Sequence, residues 1–110
     1  MLFYLMKVHA GSGRGRPEAK EPGDYPREGG FYAVRPAAEV DTAKLRAAIE
    51  ATEKTLGDGI YESRSPFWGF PDVTHVWEEG GNVHISSHLV VGRRDFGANR
   101  RRVEAWLAAC

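Results

Sequence analysis

The chain has 110 residues, of which 42% are hydrophobic and 27% charged, and 15 lysines and arginines balance 15 aspartates and glutamates. This length predicts a single domain, residues 1–110, with one hydrophobic core. A neutral chain has no overall positive field that would attract nucleic acid, and no apolar run approaches the ~20 residues that cross a bilayer. The single cysteine, Cys110, excludes an internal disulfide and a cysteine-rich zinc site. We therefore expect a cytoplasmic protein without a membrane partner.

The N-terminal third predicts two strands separated by a long connection. Residues 2–9 are rich in aromatic and branched side chains and predict a strand. Residues 10–30 are rich in glycine, proline and charge, so we expect a long mobile loop, either a lid or an inert insertion. Residues 31–35 predict a short strand that ends at Pro36.

The middle of the chain predicts a helix followed by a strand. Asp41 is the expected N-cap of this helix and Gly57 its expected stop. Between them, small and apolar residues recur at helical spacing: Leu45, Ala48, Ile49, Thr52 and Leu56. Residues 59–64 predict a strand, and residues 65–72 predict an aromatic loop.

The C-terminal segment predicts a second helix, which Asp95 caps. The residues expected on the inner side of this helix are Phe96, Val103, Trp106 and Leu107. Strands combined with two helices predict an α+β two-layer sandwich, with both helices on one face of an antiparallel sheet. Residues 31–108 resemble a ferredoxin-like arrangement, in which residues 2–9 would complete the sheet.

The clearest pattern is the pair Gly80-Gly81 between two alternating runs. It predicts a two-residue hairpin turn, because both turn positions require positive φ. The register that follows pairs four sets of residues across the two strands: Glu79 with Asn82, Trp77 with His84, His75 with Ser86, and Val73 with His88.

Because side chains alternate along a strand, this register sorts the hairpin into two faces. The face expected beneath the helices carries Val76, Val83, Ile85, Leu89 and Val91, with Thr74 and Ser87. The other face, expected to be open, carries His75, Trp77, His84, Ser86 and His88. This separation of the apolar side chains from the histidines, Trp77 and Ser86 predicts a functional site on the open face.

The leading hypothesis is a small-molecule site for an aromatic or anionic ligand, and whether the protein is an enzyme stays open. His75 or His84 would act as general acid or base, since imidazole titrates near neutral pH, and Ser86 would assist as hydrogen-bond donor or nucleophile. Trp77 would form a flat wall for a ring. Further expected ligand-binding residues are His88, Arg14, Arg16 and Trp68.

Two other interpretations remain open for this face. It could be a homodimer interface, where tryptophan and histidine are common anchors. It could also be a metal site for a divalent ion such as zinc, with ligands among His75, His84 and His88. His84 and His88 would lie ~13 Å apart along a strand, which favours two histidines and a carboxylate over all three histidines. No ligand set is assigned, so the cofactor stays open.

Several short segments resemble known families. Residues 72–77 and 86–91, "DVTHVW" and "SSHLVV", resemble the paired strands of the cytosolic domain of cation diffusion facilitators, a ferredoxin-like metal-binding dimer, with His88 at a matching histidine. "VHISSHLVVGRR" resembles the strand of histidine-triad hydrolases, with His84 and His88 at the outer two histidine positions and Ser86 at the central nucleophile position. His84-Ile85-Ser86 also resembles one half of a two-histidine phosphoesterase signature.

The segment "GSGRGRP", residues 11–17, resembles the core of an AT-hook, whose arginines enter the DNA minor groove. Glu18 and Glu21 follow where such motifs have basic residues. Arg14 and Arg16 could equally hold a phosphate. A non-catalytic protein that interacts with proteins or nucleic acid is therefore the third hypothesis.

Overall fold

The computed structural model describes residues 16–64, 70–92 and 94–110. In chain order the elements are β1 (Gly23–Arg27), β2 (Gly30–Pro36), a 3₁₀ turn (Ala37–Glu39), α1 (Thr42–Glu50), β3 (Lys54–Gly57), β4 (Ile60–Arg64), β5 (Pro71–Glu79), β6 (Asn82–Leu89) and α2 (Ala98–Ala108). The strand predicted at residues 2–9 lies outside the described residues, as do residues 65–69 of the predicted aromatic loop. No described helix is long and apolar enough to cross a membrane.

The described strands form one antiparallel sheet in the order β1-β2-β6-β5-β4-β3. Both helices pack on the same face, where Leu45 and Ile49 of α1 and Val103 and Trp106 of α2 join one core with Phe31 and other sheet residues. The predicted α+β fold with an antiparallel sheet and two helices is therefore confirmed.

The ferredoxin-like part of the fold prediction is not confirmed, because the strand order differs. The helix α1 connects β2 to β3, and three strands lie between these two in the sheet. The physical cause is the additional hairpin of β3 and β4, which extends the sheet beyond β5. At the other side, β2 pairs directly with β6.

The first predicted loop contains a strand. The strand β1, within residues 16–30, pairs with β2, and the rings of Tyr25 and Tyr32 lie 5.5 Å apart between centroids at a tilt of 34°. An ion pair of 2.8 Å between Arg35 and Asp24 adds to this pairing. Proline at position 26 is compatible with β1 because this strand has a single described neighbour and stands at the edge. The prediction of a continuous mobile loop is wrong for residues 23–27.

The first helix is shorter than its apolar spacing suggests. Asp41 is the N-cap as predicted, since its side chain accepts a hydrogen bond from the amide of Lys44. The helix ends at Glu50, however, and Leu56 lies in β3 with 39% of its surface exposed. Gly57 is not a helix stop, because it ends β3 at the turn into β4.

The predicted hairpin of residues 73–88 is confirmed in register. Gly80 and Gly81 have φ of 64° and 79°, the left-handed conformation that a two-residue turn requires. All four predicted cross-strand pairs are present. The strand β4 at residues 60–64 also agrees with its prediction.

Asp95 determines where the second helix begins, as predicted, although it acts from two positions before the cap residue. Its carboxylate accepts hydrogen bonds from the amides of Gly97 and Asn99, both at 3.0 Å. Phe96, predicted to face the core, is 82% exposed with φ of 52°. The left-handed backbone at Phe96 turns this side chain outward, while Val103 and Trp106 are buried as expected.

A buried polar network joins α2 to the sheet. The hydroxyl of Ser87 contacts that of Thr74 at 2.8 Å and donates to Oδ1 of Asn99 at 2.6 Å. Arg102 donates to the same oxygen at 2.7 Å and to Asp72 at 2.9 Å. Burial raises the pKa of the Asp72 carboxyl, and the hydrogen bond and charge of Arg102 only partly offset this. The network fixes the position of α2 through directional bonds.

Replacing Asp95 tests the start of α2. Burial pulls the pKa of Asp95 upward, but hydrogen bonds from Asn99 and Gly97 hold it below the ordinary 3.8. A lowered carboxyl pKa in the folded state stabilises the protein above pH 3.8, and this contribution disappears as pH falls through the folded pKa. We expect Asp95→Asn to reduce the free energy of unfolding by about 1 kcal/mol at pH 7.

Urea unfolding of the wild type and the variant at pH 7 and pH 3 measures this difference. The difference should be smaller at pH 3 than at pH 7, because the stabilising contribution of the carboxylate declines as pH falls below 3.8 towards the lower folded pKa. Asp58→Asn is the control, because the Asp58 side chain is 98% exposed. If the wild type and the variant differed in free energy of unfolding by the same amount at both pH values, the ionised Asp95 carboxylate would not be the group that stabilises the start of α2.

Candidate functional site

The sheet face opposite the helices carries the residues that the sequence singled out. His75 and Trp77 lie on β5, and His84, Ser86 and His88 lie on β6, all on the same side because of the hairpin register. The structure therefore brings five predicted site residues together on one surface. Arg14 and Trp68, two further predicted ligand-binding residues, lie outside the described residues.

This face is buried rather than open. His84 is 1% exposed and His75 and His88 are each 6% exposed, while Tyr32, Val34 and Trp77 form a second apolar cluster on the same side. The segment before β1 covers part of it, since the Arg16 guanidinium lies 5.1 Å from the Trp77 ring centroid. The expectation of a broad open face is wrong, and access is confined to its margins.

His84 has both ring nitrogens engaged. The Tyr32 hydroxyl contacts Nδ1 at 2.8 Å, and Nε2 contacts the carbonyl oxygen of Glu79 at 3.0 Å. A carbonyl can only accept, so Nε2 is the donor and the Tyr32 hydroxyl can donate to Nδ1. The amide of Lys20 donates in turn to the Tyr32 oxygen at 3.2 Å. This continuous chain gives His84 a structural role.

Tyr32 keeps its proton in this chain. Burial raises the pKa of the Tyr32 hydroxyl above its ordinary value, and the hydrogen bond from Lys20 opposes that shift more weakly. The hydroxyl is therefore protonated at physiological pH and able to donate. Tyr32 was missed in the sequence, although its parity within residues 31–35 places it on this face once β2 is paired with β6.

Trp77 stands within a row of nearly parallel rings. Its ring lies 4.9 Å from His84 at an interplanar angle of 13° and 5.9 Å from Tyr32 at 11°. The indole Nε1 donates to the Glu79 carboxylate at 3.0 Å. These contacts fix the orientation of the indole, so its remaining surface is preorganised.

His75 and His88 form a separate pair. Their ring centroids are 5.8 Å apart at 23°, so the diagonal neighbour that His75 stacks on is His88. The Nδ1 atom of His88 contacts the carbonyl oxygen of Leu89 at 3.1 Å. Within residues 16–64, 70–92 and 94–110, no group of three or more histidine, cysteine, aspartate or glutamate side chains is placed to hold a metal ion.

A cavity of about 420 Å³ opens beside this face at the turn between β3 and β4. We call it the Arg16 cavity, and its charged, polar and aromatic lining consists of Arg16, Arg46, Asp58, His75, Trp77 and Glu78. Three predicted site residues thus line it, whereas His84, Ser86 and His88 do not. Arg46 and Asp58 were not predicted, because only the fold brings α1 next to this turn.

The charges around the Arg16 cavity differ in how they are neutralised. Arg46 forms an ion pair with Asp58 at 3.3 Å. Arg16 stacks on Trp77 and forms no ion pair with any described carboxylate. Glu78 also lines the wall and reduces the positive potential. Arg16 is therefore the cation available to a bound group.

Fold and site together define a two-layer α+β protein with a buried histidine and aromatic cluster beside a small cavity. Comparison with family models matches residues 19–110 to DUF1499, described as a protein of unknown function. The chain belongs to this family. Comparisons with curated proteins and with solved structures returned no match.

Removing the hydroxyl of Tyr32 tests the hydrogen-bond chain. Tyr32→Phe should leave His84 Nδ1 and the Lys20 amide without this partner and lower the free energy of unfolding by roughly 1–3 kcal/mol. Tyr25→Phe is the matched control, since the Tyr25 hydroxyl donates at the surface to the carbonyl oxygen of Glu21. Thermal and urea unfolding of both variants provide the comparison. Equal losses would mean that the buried chain adds nothing beyond a surface hydrogen bond.

Proposed function

We propose that this protein binds a small ligand with a planar ring and an anionic group in the Arg16 cavity. The single observation that carries the proposal is the convergence of an unneutralised guanidinium, a fixed indole wall and an imidazole on one cavity, at Arg16, Trp77 and His75. A cavity of about 420 Å³ is in the size range of small-molecule sites.

Arg16 supplies selectivity for an anion. A guanidinium presents donors in a planar fork that matches carboxylate or phosphate oxygens. Its stacking on Trp77 contributes only about 0.5–1 kcal/mol at an accessible site, so a stronger partner can redirect it. The carboxylates of Asp58 and Glu78 limit this selectivity, although Asp58 already pairs with Arg46.

Trp77 supplies the wall for the ring. Its indole is held by Glu79 and His84, so a ligand ring that stacks there does not have to order the side chain. Aromatic pairs gain about 0.5–1.5 kcal/mol beyond the area that they bury. A planar ligand is therefore favoured over a flexible aliphatic one.

If the ligand is a substrate, His75 is the residue that would transfer a proton. It is the histidine in the cavity wall, and imidazole titrates near physiological pH. His84, the alternative in the sequence-based hypothesis, already uses both nitrogens within the fold. The homodimer and the cytoplasmic location stay predictions, and nothing in the proposal depends on them.

Titration with phenyl phosphate and benzoate, followed by the NMR signal of the Trp77 indole, tests the proposal. We expect saturable shifts with both anions and none with benzamidine, the planar cation of similar size. Arg16→Gln should weaken phenyl phosphate binding roughly tenfold, as for the loss of a hydrogen bond to a charged group.

The matched control is Arg27→Gln. The Arg27 guanidinium also lies over an aromatic ring, 5.7 Å from the centroid of Tyr32, but does not line the Arg16 cavity. It should leave the affinity unchanged. The proposal fails if benzamidine binds as well as the anions, or if the two arginine variants lose affinity to the same extent.

A further inference from the structure

A second cavity, of about 460 Å³, lies at the opposite end of the β3–β4 hairpin. It is lined by Thr52 and Glu53 of the turn that follows α1, by residues of β3 and β4 that include Lys54 and Ser63, and by Arg102 of α2. We propose that this Ser63 cavity is a binding site for a small oxyanion, a carboxylate or a phosphate group. The site is independent of the function proposed for the Arg16 cavity.

Ser63 is the first observation. It is 5% exposed, and its hydroxyl oxygen is buried without a hydrogen-bond partner among the described residues. A buried hydroxyl without a hydrogen-bond partner destabilises a folded protein. Its presence therefore calls for an explanation, such as a ligand that binds there. The oxygen is enclosed in this conformation, so binding through Ser63 requires that rotation about χ1 bring the hydroxyl to the surface of the cavity that the residue lines.

Arg102 is the second observation. Its Nη1 atom donates to both Asp72 and Asn99, which fixes the guanidinium in place. Its Nε and Nη2 atoms make no hydrogen bond with the part of the chain that the structure describes. The side chain is 22% exposed and lines the cavity. Arg102 is thus an immobilised cation with donors still available.

The third observation concerns Lys54. It stands opposite Glu62 in the β3–β4 register, yet no described carboxylate forms an ion pair with it. Glu62 instead pairs with Arg64 at 3.2 Å. A lysine ammonium is a strongly hydrated charge that binds oxyanions as a point cation.

The charges and unused hydrogen-bond donors of the Ser63 cavity favour an anionic ligand that accepts hydrogen bonds. Three cationic side chains and the two carboxylates of Glu53 and Glu62 line the cavity, and Asp72 lies behind Arg102. Glu53 already accepts from Thr52 at 2.8 Å, as Glu62 does from Arg64. Lysine and arginine can only donate, so the unused capacity at Lys54 and Arg102 calls for an acceptor.

The Ser63 cavity differs from the Arg16 cavity in position and chemistry. Residues 60 and 63 are three apart on β4, which corresponds to ~10 Å along the strand. Among residues 16–64, 70–92 and 94–110, no aromatic side chain lines the Ser63 cavity, so these residues offer no ring to stack on. A small oxyanion without a ring therefore fits here, whereas a planar aromatic anion fits beside Trp77.

The test follows backbone amide NMR signals during titration with inorganic phosphate and, separately, with acetate, at constant ionic strength set by chloride. We expect saturable shifts at residues 52–54 and 62–64, and the stronger of the two probes identifies the preferred anion. Ser63→Ala should weaken binding about fivefold, in line with the loss of one hydrogen bond. The melting temperature of this variant should stay unchanged or rise, because the Ser63 hydroxyl has no hydrogen-bond partner among the described residues to lose.

Lys54→Gln should weaken binding roughly tenfold, as for the loss of a charged donor. Lys44→Gln is the matched control, since Lys44 is an exposed lysine on α1 that does not line the cavity. Two outcomes would overturn the proposal. One is the absence of saturable shifts at these residues with either anion. The other is unchanged affinity in both Ser63→Ala and Lys54→Gln.

Discussion

The constraint on which the structure depends is the two-residue turn at Gly80 and Gly81. Positive φ at both residues joins β5 to β6 without an extra residue, so the pairing has a single register. A shift of one residue would move every histidine of the hairpin to the helix side and every core valine away from it. The apolar core beneath the helices and the histidine cluster on the other face are consequences of the same turn.

This arrangement produces a sheet that is buried on both faces. On the helix side, Asn99 joins α2 to Ser87 and Asp95 through directional bonds. On the other side, Tyr32 links His84 to the segment before β1. The two cavities lie at the ends of the β3–β4 hairpin, where Arg46 of α1 borders one and Arg102 of α2 borders the other.

Features that depend on residues close together in the sequence were predicted correctly, whereas features that depend on distant residues were not. The hairpin register and the caps at Asp41 and Asp95 are local and could be predicted. The strand β1 and the end of α1 could not, because β1 depends on pairing with β2, and Leu56 keeps helical spacing while lying in β3. The site was located in part: His75, Trp77 and Arg16 line one cavity, but its other walls come from α1 and the β3–β4 turn.

The family match at residues 19–110 includes all the described helices and strands together with His75 and Trp77, whereas Arg16 precedes it. The residues that form the other walls of the Arg16 cavity therefore lie within the matched segment, whereas Arg16 lies before it. A crystal structure grown with phenyl phosphate tests this account most directly. The account predicts the phenyl ring against Trp77 and the phosphate on Arg16. A ligand bound elsewhere, with Arg16 still stacked on Trp77 and the cavity empty, would contradict it.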